Sequence, residues 1–248
     1  MATNNKKMKK IFAFLSLALA FSVFSASALV QSERRFQKDY KISGFNAVDI
    51  SGDFIVEISQ GPYAVSLDLP EEYAKHVVVR LDEDELEIYY NERTMGVKHF
   101  LNRSKLRSYA RISLPSPEEI SISGATKLDM QKIKVSNLSI DCDGASEMKL
   151  SGDFGMLDFE CSGAFKGSVS GTARVFDVEM SGAANLDAMD LVSNRADVEM
   201  SGAGGLKVNA TDNLSLECSG ASKVEYKILD DTILRVENSG ASKISRVR

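Results

Sequence analysis

The chain has 248 residues, with 30 Lys and Arg against 35 Asp and Glu and a net charge of −5. An acidic balance argues against nucleic acid and anionic membrane surfaces as partners. The absence of tryptophan disfavours a sugar-stacking cleft.

In chain order, the first feature is a Lys-rich start (Lys6, Lys7, Lys9, Lys10) followed by an apolar run from Ile11 to Val23 and then Ala26-Ser27-Ala28. That order of basic, apolar and small residues predicts a cleaved signal peptide over 1–28, too short and wrongly flanked for a transmembrane anchor. No cysteine follows the run, so a lipoprotein anchor is not expected. Cleavage removes four lysines and no acidic residue, taking the net charge from −5 to −9. The expected mature chain, 29–248, is exported to the periplasm, the cell surface or the exterior. It suits one elongated domain, since solenoids do not stop at the usual core size.

Residues 29–117 predict irregular N-terminal coils and a cap. Short runs alternate apolar and polar residues: Phe54, Val56, Ile58; Val65, Leu67, Leu69; Val77, Val79, Leu81; Leu86, Ile88, Tyr90; Ala110, Ile112, Leu114. Acidic or proline-bearing turns such as Asp82-Glu83-Asp84 and Pro70-Glu71-Glu72 divide them, as strand boundaries do. These excursions are expected to close the N-terminal end of the fold, where a first rung would expose unpaired backbone.

From 118 to 248 a repeat takes over. Gly124, Gly144, Gly163, Gly182, Gly202, Gly220 and Gly240 are each followed by Ala, at separations of 20, 19, 19, 20, 18 and 20 residues. A fixed period near twenty marks a solenoid in which each repeat is one coil. Two residues before each glycine stand Ile122, Cys142, Cys161, Met180, Met200, Cys218 and Asn238. Four before stand Ile120, Ile140, Phe159, Val178, Val198, Leu216 and Val236. Intervening positions are polar, a period of two that means strands with one buried face. Alternation resumes after the glycine, so Gly-Ala reads as a corner between strands. A less regular third side, with Gly152 and Gly171, completes an all-β parallel β-helix. Seven coils about 4.8 Å apart would rise roughly 30 Å. The Asn of leucine-rich repeats and the G-G-x-G-x-D of calcium-binding coils are missing. In the last coil Asn238, Arg246 and Arg248 interrupt the apolar columns, and such charges are expected to discourage end-to-end stacking.

Cys142, Cys161 and Cys218 fall in one column, which predicts packed thiols rather than a disulfide framework. Cys218 is three rungs from Cys161, about 14 Å by strand spacing and beyond bridging range. Cys142 and Cys161 lie on adjacent rungs, close enough to bridge but pointing the same way.

Phe45-Asn46-Ala47-Val48-Asp49-Ile50-Ser51-Gly52-Asp53, Val56-Glu57-Ile58-Ser59-Gln60-Gly61, Ile112-Ser113-Leu114-Pro115 and the recurring Ser-Gly-Ala-Ser resemble one bacterial exported family, named putative auto-transporter adhesin, head GIN domain. The resemblance covers nearly all of 29–248. It implies a right-handed parallel β-helix in the envelope of a Bacteroidetes-like bacterium and carries over no catalytic residue.

Two surface features are candidate binding regions. Asp158, Glu160, Asp177, Glu179, Asp197 and Glu199 belong to carboxylate columns that also contain Asp141, Glu217 and Glu237. Carboxylate oxygens suit a cation or sugar-binding face. The plain alternative is a solvated ladder balanced by Lys127, Lys166, Lys223 and Lys243 just past the corner. A flat ladder would also lack the groove that catalysis needs. The second region is a basic loop carrying Arg93, Lys98, Arg103, Lys105 and Arg107, which could meet an acidic glycan or protein or simply keep a strand edge soluble. His76 and His99 stand outside any Asp or Ser pattern and read as surface residues. No metal site and no cofactor is assigned.

The expected function is therefore non-enzymatic, adhesin-like binding of an extracellular glycan or protein. A polysaccharide lyase or glycoside hydrolase on the same scaffold is the rival, although the N-T-D, G-H-G and R-I-K segments of pectin hydrolases are missing. A structural spacer without ligand is the third reading. Neither nucleic-acid binding nor membrane insertion after signal cleavage is expected.

Overall fold

The computed structural model describes residues 34–91, 93–94 and 107–247; the expected signal peptide lies outside them. Within the unit 35–248, all strands join one 16-stranded sheet. It is wound into a β-solenoid of about 6 turns. No helix among the described residues is long and apolar enough to cross a membrane.

The repeat builds the stack directly. Strands β9 (Lys127–Cys142), β10 (Glu147–Cys161), β11 (Lys166–Met180), β12 (Asn185–Met200) and β13 (Gly205–Gly220) each form one coil. They pair in parallel, so that Cys142, Cys161, Met180, Met200 and Cys218 are register partners on successive rungs. These side chains are only 2–4% exposed. The column is therefore a dry interior ladder, and each large apolar side chain in it contributes about 1.5–3 kcal/mol through burial. The cysteines are free. Burial, reinforced by the neighbouring Cys142, pushes the Cys161 thiol up and keeps it protonated.

Three short strands per coil were expected; one strand of 15 or 16 residues is found. Hydrogen bonding runs through the second bend because register shifts absorb the turning there, for example between Ala188 and Val192. This irregular side also takes up the variation in repeat length. Ser193 donates to the Asn209 carbonyl at 2.9 Å, and Asn209 donates to the Met189 carbonyl at 3.3 Å.

At the principal corner the ladder also continues. The Ser162 and Ala164 amides donate to the Cys142 and Gly144 carbonyls at 2.9 and 2.8 Å. Gly163 has φ +90°, and a Cβ there would lie 2.6 Å from the Gly144 carbonyl oxygen. Both the backbone angle and the close stacking therefore demand glycine. A different glycine solves a packing problem. Gly167 interrupts an apolar column, and the Phe165 ring fills the space; a Cβ on Gly167 would meet that ring at 2.4 Å. Phe165 also packs edge-on against Phe159, centroids 5.5 Å apart.

The first coil comes from β2 (Ala47–Gly52) and β3 (Phe54–Gln60). β2 lies parallel between β6 (Glu85–Tyr90) and β8 (Glu119–Gly124), and β3 lies parallel between β7 (Ser108–Leu114) and β9. Antiparallel strands then end the stack: β5 (Val77–Asp82) on β6, β4 (Ala64–Pro70) on β7, and β1 (Arg35–Tyr40) on β4. The short helix α1 (Glu71–Ala74) buries Tyr73. Phe54 and Tyr90 stack at 4.8 Å, and the Tyr90 and Ser108 hydroxyls hydrogen-bond. His76 is not a surface residue: it is 6% exposed. Its Nδ1 lies 2.9 Å from the Thr94 hydroxyl, and its backbone amide donates to the Tyr73 carbonyl. A polar tip with a local partner lets the ring join the cap. His99 lies outside the described residues.

Candidate functional site: an acidic groove along the corner

On each strand before the corner, the positions one, three and five residues ahead of the glycine share the outward face. Three ahead stand Asp141, Glu160, Glu179, Glu199, Glu217 and Glu237, each the register partner of the next. Five ahead, Asp158, Asp177 and Asp197 form a second column on the same rungs. Asp158, Glu160, Glu179 and Glu199 are exposed, whereas Asp177 and Asp197 are half-buried.

One position ahead of the glycine the side chain is short: Ser162, Ser181, Ser201, Ser219 and Ser239. A short serine beside a long glutamate on every rung leaves a trough. The structure contains an open groove of about 520 Å³ lined by Glu160, Glu179, Glu199, Glu217 and Glu237, with Ser181, Ser201, Ser219 and Ser239 also on its wall. Cys161, Met180, Met200 and Cys218 lie beneath. The ladder is thus not flat. The concavity was implicit in the alternation of Glu with Ser, but its depth depends on the corner angle.

Neighbouring rungs bring like charges within about 5 Å, which disfavours ionisation. Asp141 raises the Glu160 carboxyl above its ordinary range, followed by burial and by Glu179, Asp158 and Asp143. Burial and then Asp143 and Asp158 raise Asp141. Burial and then Asp197 and Asp158 raise Asp177, against an opposing pull from Arg195. Arg195 holds Asp197 at 2.6 Å. Among the described residues the glutamates of the groove make no ion pair.

Two of the four lysines expected to balance them, Lys127 and Lys223, are engaged elsewhere. Past the corner, Lys127 meets Glu147 at 2.7 Å and Lys223 meets Glu225 at 2.6 Å. Lys207, one strand step further, meets Asp187 at 2.6 Å. Glu147 sits between Lys127 and Lys166 on successive rungs, and the hydrogen bond from Lys127 lowers its carboxyl, with both lysines adding to the effect. The corner turns these cations onto a different face, so they neutralise one another's neighbours and leave the groove negative.

Among the described residues no cluster of three Asp, Glu, His or Cys side chains is arranged to hold a metal ion. Of the basic loop, Arg93 and Arg107 are exposed; the Arg107 carbonyl accepts from the Arg35 guanidinium at 2.9 Å. Lys98, Arg103 and Lys105 lie outside the described residues.

The fold is a parallel, in-register β-solenoid with a continuous outward carboxylate ladder. Residues 44–228 match the family described as putative auto-transporter adhesin, head GIN domain, and the chain belongs to that family. Three solved structures share the fold. A protein described as a putative adhesin from Bacteroides fragilis is 20% identical, with a TM-score of 0.78 over 87% of this chain and 98% of that one. One described as a putative lipid binding protein from Parabacteroides distasonis is 16% identical, with a TM-score of 0.60 over 88% and 98%. A putative adhesin from Parabacteroides merdae is 15% identical, with a TM-score of 0.59 over 88% and 98%. No curated protein matches the chain in sequence.

Proposed function

We propose that this protein is a non-enzymatic, exported, adhesin-like solenoid that binds an extracellular glycan or protein along its acidic groove. One observation supports the reading above the others: a groove of about 520 Å³ carries glutamates from five successive rungs without neutralising cations. An extended, repetitive, single-sign surface suits an extended partner bearing regularly spaced cations, or a glycan held through them. Family membership agrees, since adhesion is what the family description names. Glycoside cleavage would instead need two carboxylates with distinct environments, one kept protonated and one ionised. Here the glutamates recur at one register position on successive rungs, and Glu160 is raised chiefly by a like charge. In this reading 1–28 is removed on export and 29–248 is the mature domain; N-terminal sequencing of the exported protein should begin near Leu29.

The test is binding to glycan and basic-peptide arrays at low ionic strength. Wild-type protein is expected to be retained, and Glu179→Gln/Glu199→Gln/Glu217→Gln to lose at least about tenfold in affinity. Equal binding by both proteins would remove the groove from the account. Product released from an acidic polysaccharide, and abolished by replacing one carboxylate, would make the protein an enzyme.

A further inference from the structure

The two ends of the coil stack are built differently, and among the described residues the C-terminal end leaves an apolar strand edge uncovered. β15 (Ile233–Gly240) pairs with β13, and β16 (Lys243–Arg246) pairs with β14 (Lys223–Ile228). Among the described residues no strand pairs with the outer edges of β15 and β16. Leu234 and Val236 continue the columns of Leu214 and Leu216, which are almost fully buried one rung below. In the last coil they are 38% and 43% exposed, with Ile233 at 68% and Leu229 at 55%. Four large apolar side chains and a row of open backbone donors and acceptors form a template for another strand.

The charges expected to block such pairing do not do so. Arg246 folds back within its own coil, donating to the Ile228 carbonyl and to Asp230, each at 3.0 Å. Arg248 lies outside the described residues. On β15 itself the outward residues are Arg235 and Glu237, two positions apart with Val236 between them. Neither makes an ion pair among the described residues.

We propose that the last coil is a self-association surface on which a second copy of this chain pairs β15 with β15, antiparallel about Val236. The charge pattern selects that register. Centred on Val236, Arg235 of each copy faces Glu237 of the other, Val236 faces its own counterpart, and inward and outward faces are preserved. Centring on Arg235 or on Glu237 instead places like charges opposite each other, which is destabilising. The arrangement is isologous and closed, so it yields a dimer rather than a fibre. It covers Val236 as the next rung covers its counterpart and sets Leu234 opposite Asn238 of the other copy; because Glu237 also lines the end of the groove, association is measured without any groove ligand.

Sedimentation velocity of the purified protein over rising concentration, at low ionic strength, tests the proposal. A monomer–dimer equilibrium is expected, with small-angle scattering showing a particle about twice as long. Arg235→Glu and Glu237→Arg should each weaken the dimer about tenfold, because each creates two like-charge contacts. Combining them as Arg235→Glu/Glu237→Arg should restore wild-type association. Unchanged circular dichroism and melting temperature would show that the variants remain folded. Monomer at every concentration overturns the proposal, and so does a dimer whose strength ignores the single charge reversals.

Discussion

The two faces flanking the Ser-Gly-Ala corner come from the same repeat and the same coils, yet they handle charge in opposite ways. Before the corner, carboxylate stacks on carboxylate, from Asp141 through Glu237. After it, opposite charges meet on several successive rungs, with ion pairs joining Lys127 to Glu147 and Asp187 to Lys207, although Lys223 stacks on Lys243 in the last coil. A solenoid that needed only stability and solubility would alternate everywhere. Retaining a like-charged ladder costs stability and is expected where a surface has a binding role.

The most damaging way to break the comparison is to remove the corner that separates the faces. Gly163→Ala forces a Cβ into a left-handed backbone, 2.6 Å from the Gly144 oxygen. It should cost at least about 2 kcal/mol in chemical denaturation. Ala164→Gly beside it, at an exposed position, should cost far less and serves as the control. A loss below about 0.5 kcal/mol for Gly163→Ala would mean that the rungs are not stacked as described.

Acidification sharpens the contrast between the faces. Asp141, Glu160 and Asp177 have raised carboxyls in the folded state. The folded protein therefore binds those protons more tightly than the unfolded chain, and these sites gain stability as pH falls through the raised carboxylate range. Glu147 and Asp187 are lowered by their lysines. Their stabilisation is present above the ordinary carboxylate range and is lost as pH falls through the lowered values. Single amides separate the two contributions. Glu160→Gln should be more stable than wild type at pH 7, by about 0.3–0.5 kcal/mol given its exposure. Glu147→Gln should be less stable by no more than about 0.5 kcal/mol. Both differences should vanish once wild-type carboxylates are protonated. The same sign for the two variants at neutral pH would end the distinction between the faces.

Salt gives the smallest effect. Screening relieves the ladder and weakens the ion pairs. Raising ionic strength should therefore narrow the gap between wild type and Glu160→Gln, by about a few tenths of a kcal/mol, as read from melting curves.

How far each feature was legible in the sequence follows the repeat. Cys161, Met180 and Met200 could be placed on one interior ladder because a constant spacing fixes who lies above whom. The carboxylate columns were legible for the same reason. The spacing puts Gly167 in an apolar column but does not name Phe165 as the side chain that fills the gap, since only packing relates neighbouring columns within a coil. His76 was misjudged because its burial depends on α1, Thr94 and the non-repeating cap, whose strands pair across long stretches of chain: β1 with β4, β4 with β7. That Lys127 and Lys223 pair with Glu147 and Glu225 was not legible, because a sequence does not state the angle through which the chain turns.

The amino-acid order alone determined the coil period, the inward and outward parity and the contents of the vertical columns flanking the Ser-Gly-Ala corner, because in-register parallel stacking turns a linear repeat into ladders. Tertiary structure alone decided the lateral relations: the trough between Ser and Glu, the pairing of lysines away from it, and the bare last coil against the closed first one. Those depend on corner geometry, side-chain length and contacts between segments far apart in the chain, none of which a local spacing encodes.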